Sequence, residues 1–352
     1  MAINDRANSS PTITDVARVA GVSIKTVSRV MNRESGVHSA TREHVLKVVG
    51  EMKYRPKLSA RSLAGARSFL IGLLYYDPSA AFVSGVQQGA TLRCRESGYH
   101  LVVESLRDDA PDLAQQVDHM VSALRPDGMI LTPPLCDNPH VLKALRDSGT
   151  PCVLMSPARD REGIFSVRMD DVLAAEEITL HLADLGHKEI AFVKGPADQA
   201  ASALRYKGYV RAMKSRGLTV NKDFVYTGDF KFQSGVEAAH KILGTRNRPT
   251  AIFASNDEMA LGVLAGAQSI GLDVPKALSI AGFDDSPAAK LVWPQLTTVS
   301  QPTYEMARMA VEMLIGTGKS QEDAPEESIK SEHRVLEHEL VIRMSTGKPA
   351  KR

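Results

Sequence analysis

Residues 12–35, TITDVARVAGVSIKTVSRVMNRES, read as two short helices joined by a tight turn at Gly21. Thr14 is placed to cap the first helix, Asp15–Ala20, and Gly21 to end it. Ser23 caps a second helix, Ile24–Asn32, and Ser39 a third, Ala40–Lys53, in which Val45, Val48, Val49 and Met52 recur at helical spacing. Val16, Ala17, Ala20, Val27 and Val30 supply apolar faces for a small shared core. The second helix is small, hydroxylated and basic on its outer side, the format for laying a helix in the DNA major groove. Lys25 suits guanine O6 and N7, and Ile24 a thymine methyl. Ser23, Thr26, Ser28, Asn32, His38 and Thr41 suit phosphate oxygens, which fix register without reading sequence. Thr14 joins them at the start of the first helix, and Arg29 suits bases or phosphates. The bland alternative is a helical hairpin with a solvated face; caps, turn, core and charge agree against it.

Charge supports the same division. The 352 residues carry a net charge of +2, but residues 1–67 hold 12 Lys/Arg against 5 Asp/Glu, whereas the remainder holds 31 against 36. A basic head on an acidic body points to a polyanion partner for the head alone. The apolar content of 43% and charged content of 24% are ordinary for a globular chain. Neither an apolar run long enough to cross a bilayer nor a signal-peptide layout is evident, so a cytoplasmic protein without a membrane partner is expected. Cys94, Cys136 and Cys152 form no CxxC pair and read as reduced, packed thiols.

Residues 1–11 read as disordered. Pro56 breaks the third helix. The segment that follows, KLSARSLA (57–64), is helical in pattern but only eight residues long. That is below the ~12–15 residues at which an isolated helix becomes marginal in water. It reads as a hinge that folds on docking, with Leu63 as an apolar wedge for the minor groove and Lys57, Ala60 and Ala64 on the same side. The alternative is a linker with a dimer-packing leucine.

From Phe69 the pattern becomes strand, helix, strand. Apolar runs occur at 69–76, 100–106, 128–132, 152–155, 190–193, 251–255, 278–283, 297–299 and 339–343, most of them separated by helical stretches. Such alternation predicts right-handed crossovers and parallel sheets. The pattern restarts near Ser166 after PARDREG, which predicts two α/β lobes with a cleft between them. QEDAPEES (321–328) reads as a surface loop and the tail 346–352 as disordered.

Several motifs together resemble the LacI/GalR family of transcriptional regulators. In the head these are TITDVARVAGVS-x-x-TVSRVMN, Y-x-P at 54–56 and S-L-A-G at 62–65. In the core they are GHKEIAFVKGP (186–196), ASNDEMALGVL (254–264), LSIAGFDDSP (278–287) and LTTVSQP (296–302). The resemblance runs from Thr12 to about Ser345. It implies an all-α helix-turn-helix head (12–56), a hinge (57–66) and a periplasmic-binding-protein-like α/β core (67–345) of two doubly wound lobes. The N-lobe is expected at about 68–165 plus 296–321, and the C-lobe at about 166–295 plus 322–345. It also implies a homodimer whose paired heads bind a pseudo-palindromic operator in double-stranded DNA, with a small effector, a sugar or glycoside, held between the lobes.

The same resemblance assigns the effector site to Asp77, Phe82, Thr132, Met155, Met169, Arg205, Phe230, Asn256, Asp284 and Gln301. Arg205 matches an arginine that grips sugar hydroxyls, and Phe230 an aromatic that stacks on the ligand. Asn256, Asp284 and Gln301 fall at strand ends, where open α/β sheets bind ligands. Each has a structural alternative: a salt bridge or cap for Arg205, Asp284 and Asn256, core packing for Phe82, Met155 and Met169. The two methionines imply a pocket less polar than in several sugar-responsive relatives, which leaves room for a glycoside or another ligand with an apolar part. Ile24 and Lys25 open the recognition helix where relatives differ, so the operator sequence is not inherited. No leucine heptad follows Arg343, so no tetramer-forming coiled coil is expected.

Other function classes fare worse. The chain has no GxSxG, HExxH or Walker A motif, so no catalysis, cofactor or metal is expected. A solute-binding transport component would share a two-lobed core but would gain nothing from a basic helix-turn-helix.

Overall fold

The computed structural model describes residues 11–31, 35–54, 67–76, 80–244, 247–320 and 332–350. Asn32, the hinge residues Lys57, Ala60, Leu63 and Ala64, Asp77 and the stretch 321–328 lie outside the described residues. The chain divides into two compact units, Met1–Phe69 and Leu70–Arg352.

The first unit holds three helices, α1 (Ile13–Ala20), α2 (Ile24–Met31) and α3 (Ser39–Glu51). The cap of α1 is Thr12 rather than Thr14. Thr12 has extended backbone, its hydroxyl accepts from the Asp15 N–H, and the Asp15 carboxylate accepts in return from the Thr12 N–H at 3.0 Å. This reciprocal capping box satisfies two helix-end donors. Thr14, two residues later, is already inside the helix and lies exposed on α1. Gly21 closes α1 at φ 65°, and its N–H reaches the Ala17 and Arg18 carbonyls. Ser23 caps α2 as expected, accepting from the Thr26 N–H at 3.1 Å. Ser39 does not cap α3; it is the first helical residue, and His38 before it makes no side-chain cap. Val16, Ala17, Ala20, Val27, Val30, Val45 and Val48 form the core, joined by Tyr54, with Val49 and Met52 packed at its edge.

In the second unit, the first lobe is a six-stranded, wholly parallel sheet ordered β11-β5-β4-β3-β1-β2. Its strands are β1 (Leu70–Tyr75), β2 (His100–Ser105), β3 (Gly128–Leu131), β4 (Cys152–Met155), β5 (Phe165–Met169) and β11 (His333–Leu336). Strand alternation assigns the two faces. Met129 and Leu131 of β3 pack with Leu113, Val117 and Val121 of α5 (Leu113–Leu124) and Val141, Leu142 and Leu145 of α6 (Pro139–Asp147). Helices α4 (Ala80–Glu96) and α12 (Thr303–Ser320) pack against each other and cover the opposite face, where Gly128 lies under Leu314.

The second lobe is a four-stranded parallel sheet, β7 (Val225–Thr227), β6 (Ile190–Lys194), β8 (Ala251–Ala254) and β9 (Ser279–Ala281), in that spatial order. Ile190, Phe192, Ala251 and Phe253 face α7 (Asp171–Asp184) and α8 (Ala200–Ser215). Ala191, Val193, Ile252 and Ala254 face α9 (Phe232–Leu243) and α10 (Asp257–Ser269). A short helix, α11 (Pro287–Leu291), follows β9. Helices α7 and α8 approach so closely that a Cβ on Gly208 would lie 2.2 Å from the Val172 carbonyl oxygen.

The lobe boundaries differ from the expectation. All of β5 and β11 belongs to the first sheet, so 166–169 and 333–336 move to the first lobe. A strand pairs as one unit, and the turn before Phe165 is an in-lobe loop rather than a crossing. Residues 297–300 move the other way: Thr297 bridges Ala281, and Ser300 bridges Asp284 beside the second sheet. The crossings therefore fall after Met169, after Ser300 and after Leu336. One pairing is antiparallel, β10 (Thr298–Ser300) with β12 (Glu339–Val341). The tail also differs, because Gly347 is tied into the second lobe: its carbonyl lies 2.9 Å from His187 Nε2 and its N–H donates to Ser279 Oγ at 3.0 Å.

Replacing Thr12 by Ala is expected to destabilise α1 by about 1 kcal/mol. Amide hydrogen exchange at Asp15 and Val16 should then quicken roughly fivefold, while Thr14→Ala should leave both amides nearly unchanged.

Candidate functional site

Two surfaces carry the chemistry, one in each unit. On the head, Ser23, Ile24, Lys25 and Arg29 are exposed along α2, while Thr26 and Ser28 are half-buried beside them. Ile24 is 48% exposed. The first turn of α2 contains no acidic side chain to repel an anion. Ser23 and Thr26 hold each other at 2.9 Å between hydroxyl oxygens, which leaves Lys25 and Ile24 as the projecting residues of that turn. Thr14 and His38 are exposed, and Thr41 is half-buried at the start of α3.

In the core, a cleft lies between the two lobes. Phe82 reaches it from α4, Pro133 from beyond β3, and Ser156 from beyond β4. The second lobe contributes Asp171, Gln199, Ala201, Arg205, Phe230, Asn256 and Asp284, and Gln301 follows β10. These residues sit at carboxyl ends of parallel strands or at the starts of the following helices, where such sheets present ligands.

Arg205 is the centre of the floor and is 5% exposed. Its Nε donates to Asp171 Oδ1 at 2.8 Å and its Nη1 to the Ser255 carbonyl at 2.6 Å. Asp284 Oδ1 lies 3.7 Å from Nη1, and the guanidinium stands 3.7 Å above the Phe283 ring. The Gln301 side-chain amide donates to the same Asp284 oxygen at 2.5 Å. Burial holds the Asp284 carboxyl well above the usual carboxylate range; Arg205 and Gln301 pull it down, while Asp257 and Asp171 push it further up. Burial also raises Asp257, against hydrogen bonds from Thr298 and Ser286. Asn256 is mainly architectural. Its side-chain oxygen caps α10 through the Met259 N–H at 3.0 Å, and its amide donates at 2.8 Å to the carbonyl of Phe230, which holds Phe230 at φ 67°.

The structure thus brings together Phe82, Arg205, Phe230, Asn256, Asp284 and Gln301, with Phe82 on α4. It does not place Thr132, Met155 or Met169 in the lining. Thr132 is buried and donates its hydroxyl to the Leu74 carbonyl at 3.3 Å. Met155 is fully buried, and Met169 packs in the second lobe's core among Ala174, Ile178 and Phe192. The methionines therefore do not set the polarity of the cleft. Pro133 and Ser156, each one residue beyond the expected position, line it instead. Sequence reasoning also missed Asp171, Gln199 and Ala201. The start of a helix directly after a strand or turn was the available signal.

Among the described residues, no group of three His, Cys, Asp or Glu is placed to hold a metal, and no helix is long and apolar enough to cross a membrane. Burial pushes the Cys94 thiol up to about 12 and that of Cys152 up to about 11, far from a reactive thiolate.

Arg205→Ala strands two buried carboxylates. It is expected to cost about 3–5 kcal/mol in the stability of the core, read from the urea midpoint. Lysine should recover little of this, because it lacks the planar fork that reaches Asp171 and the Ser255 carbonyl together.

Comparison with known proteins matches both units of the chain. Residues 12–57 match the model described as bacterial regulatory proteins, lacI family, and residues 179–346 match a periplasmic binding protein-like domain. Catabolite control protein A of Priestia megaterium is 35% identical over 336 residues, covering 95% of this chain and 99% of that protein. The ribose operon repressor of Escherichia coli K12 is 34% identical, covering 86% and 92%. The lac repressor dimer bound to operator and the anti-inducer ONPF superposes with a TM-score of 0.80 at 27% identity, covering 96% and 100%. A transcriptional regulator CelR–cellobiose complex superposes with a TM-score of 0.72 at 29% identity, covering 95% and 99%. The chain belongs to the lacI family of bacterial regulatory proteins, and is a DNA-binding transcriptional regulator rather than an enzyme.

Proposed function

We propose that this protein is a cytoplasmic repressor of carbohydrate-uptake or catabolism genes, acting as a homodimer on a pseudo-palindromic operator and controlled by a sugar-like effector in the cleft. The observation that carries the effector half is the lining itself. Phe230 offers a ring face for the C–H side of a sugar, and Arg205, Asp284, Gln199 and Gln301 offer directional groups for its hydroxyls. The DNA half rests on the exposed first turn of α2, where Lys25 and Ile24 project. The ribose and cellobiose in the names of similar proteins support the ligand class.

In this reading, the hinge segment 57–64 couples the two halves. Two such segments held together dock in the central minor groove and bend the operator. An effector that favours a lobe arrangement separating them lowers affinity. Moving that equilibrium from 1:99 to 99:1 requires about 5.5 kcal/mol of differential binding.

The direct test is a thermal-shift screen of neutral sugars and glycosides on the full-length protein. Each hit is then scored for its effect on operator binding by fluorescence anisotropy. The expected result is at least one sugar that raises the melting temperature and changes operator affinity; a complete panel without such a hit overturns the effector assignment.

Two substitutions test the DNA half. Lys25→Ala should lose discrimination at one or two base pairs per half-site, about 1–3 kcal/mol each; equal weakening on all sequences would remove it from base readout. Leu63→Ala should reduce operator bending in a FRET assay while leaving effector affinity intact, and an unchanged bend would remove the wedge.

A further inference from the structure

Helix α2 carries the projecting pair Ile24 and Lys25 on its first turn, and it has only eight residues. Its seat in the head comes from Val27 and Val30, both buried in the shared core. Apolar burial is non-directional. Two valines therefore set how deep α2 lies and leave its tilt to the hydrogen bonds at its two ends. At the N-terminal end, Ser23 accepts from the Thr26 N–H at 3.1 Å. At the C-terminal end, the last carbonyls of a helix lack partners within the helix. There Arg42, in the first turn of α3, donates from Nη1 to the Val30 carbonyl at 3.4 Å.

Arg42 is placed differently from the neighbouring cations. The side chains of Arg18 and Lys47 are each 75% exposed and pair on their own helices with Asp15 and Glu51. Lys25 and Arg29 are exposed on α2. Arg42 is half-buried and lies one turn before the fully buried Val45, so both stand on the core side of α3. Its own N–H donates to the His38 carbonyl at 3.0 Å, which orders the turn from which the side chain reaches. The guanidinium also brings positive charge to the negative end of the α2 dipole.

A contact at this end acts through leverage. At about 1.5 Å of rise per residue, Lys25 stands about 7.5 Å along the axis from Val30. A tilt of about 10° at the Val30 end moves Lys25 by about 1.3 Å. A hydrogen bond of about 2.9 Å to a base edge is lost over that distance. Attraction to the phosphates is not, because screening acts over about 10 Å.

We propose that Arg42 is a positioning residue for base readout. By holding the Val30 carbonyl it sets the tilt of α2, and so decides how sharply the first turn discriminates among bases, without itself touching DNA. This inference rests on the reading of Lys25 and Ile24 as base-contacting residues.

The test is selection by the full-length protein from a duplex library randomised across both half-sites. Anisotropy titrations of the enriched duplex and of a random-sequence duplex follow, over a series of salt concentrations. Arg42→Met keeps the apolar stem but removes the donors and the charge. Arg42→Lys keeps the charge, yet its shorter side chain falls out of reach of a carbonyl already 3.4 Å away. Both variants are expected to flatten the base preferences at the positions that Lys25→Ala flattens. Both should weaken the enriched duplex at least about tenfold while leaving affinity for the random duplex unchanged. The slope of log affinity against log salt should also stay at the wild-type value. If Arg42→Met loses the head's helical circular dichroism, Arg42→Lys carries the same comparison. A salt slope lowered by about one in Arg42→Met, with both duplexes weakened alike and Arg42→Lys at wild type, makes Arg42 a phosphate contact and overturns the proposal. A lowered melting temperature with base preferences intact in both variants makes it merely structural and also overturns the proposal. In either case the flattening by Lys25→Ala leaves the base-reading turn standing. A wild type that enriches no sequence overturns that reading as well.

Discussion

The guanidinium of Arg205 is the constraint on which the cleft depends. It joins α8 to the start of α7 through Asp171, to the end of β8 through the Ser255 carbonyl, and to the turn after β9 through Asp284. Burying one cation among carboxylates is costly in desolvation, and only good geometry offsets that cost. The geometry here is over-determined. Gly208 lets α7 and α8 approach, Phe283 stacks under the guanidinium, and Gln301 holds Asp284 from the other side. Asp284 sits at φ 127°, a conformation an L-residue adopts only when its surroundings enforce it, and Asp285 follows at φ 52°, in the left-handed region that Asp tolerates better than most residues. Asp285 is held by ion pairs with Arg343 and Lys290. The polar groups of the floor are therefore each held from several elements at once.

Legibility in the sequence followed the physics of burial. Strands buried on both faces, such as LIGLLY, GMIL and AIFA, announce themselves as continuous apolar runs. β5 interrupts its run with Arg168, β7 has three residues, and β11 is an exposed edge strand carrying His333 and Arg334. No apolar run marked these, and without β5 and β11 the crossing points were misplaced. On the head, two threonines compete for the start of α1. Thr12 has an acidic partner three residues on, which closes the box; Thr14 has Ala17 there.

The site was legible where a residue type and a strand end coincided, as for Arg205, Asp284 and Gln301. It was not legible where the answer turned on a single residue of register. A one-residue step along a strand reverses the face a side chain occupies. Thr132 and Met155 point into the interior, whereas Pro133 and Ser156 just beyond them reach the cleft. Ser156 does so at φ 47°, a turn conformation that no apolar pattern announces. Asp171 was hidden for a different reason: its partner Arg205 lies 34 residues away, a pairing that only the packing of α7 against α8 reveals.

On the proposed reading, the distribution of the lining residues explains how a ligand in the cleft would act at a distance. Phe82, Pro133 and Ser156 belong to the first lobe, whereas Asp171, Arg205, Phe230 and Asp284 belong to the second. A ligand bound to one lobe alone would have equal affinity for every lobe arrangement and would shift nothing. A ligand that spans both makes its full set of contacts in one arrangement only, so its binding free energy becomes a bias on the angle between lobes.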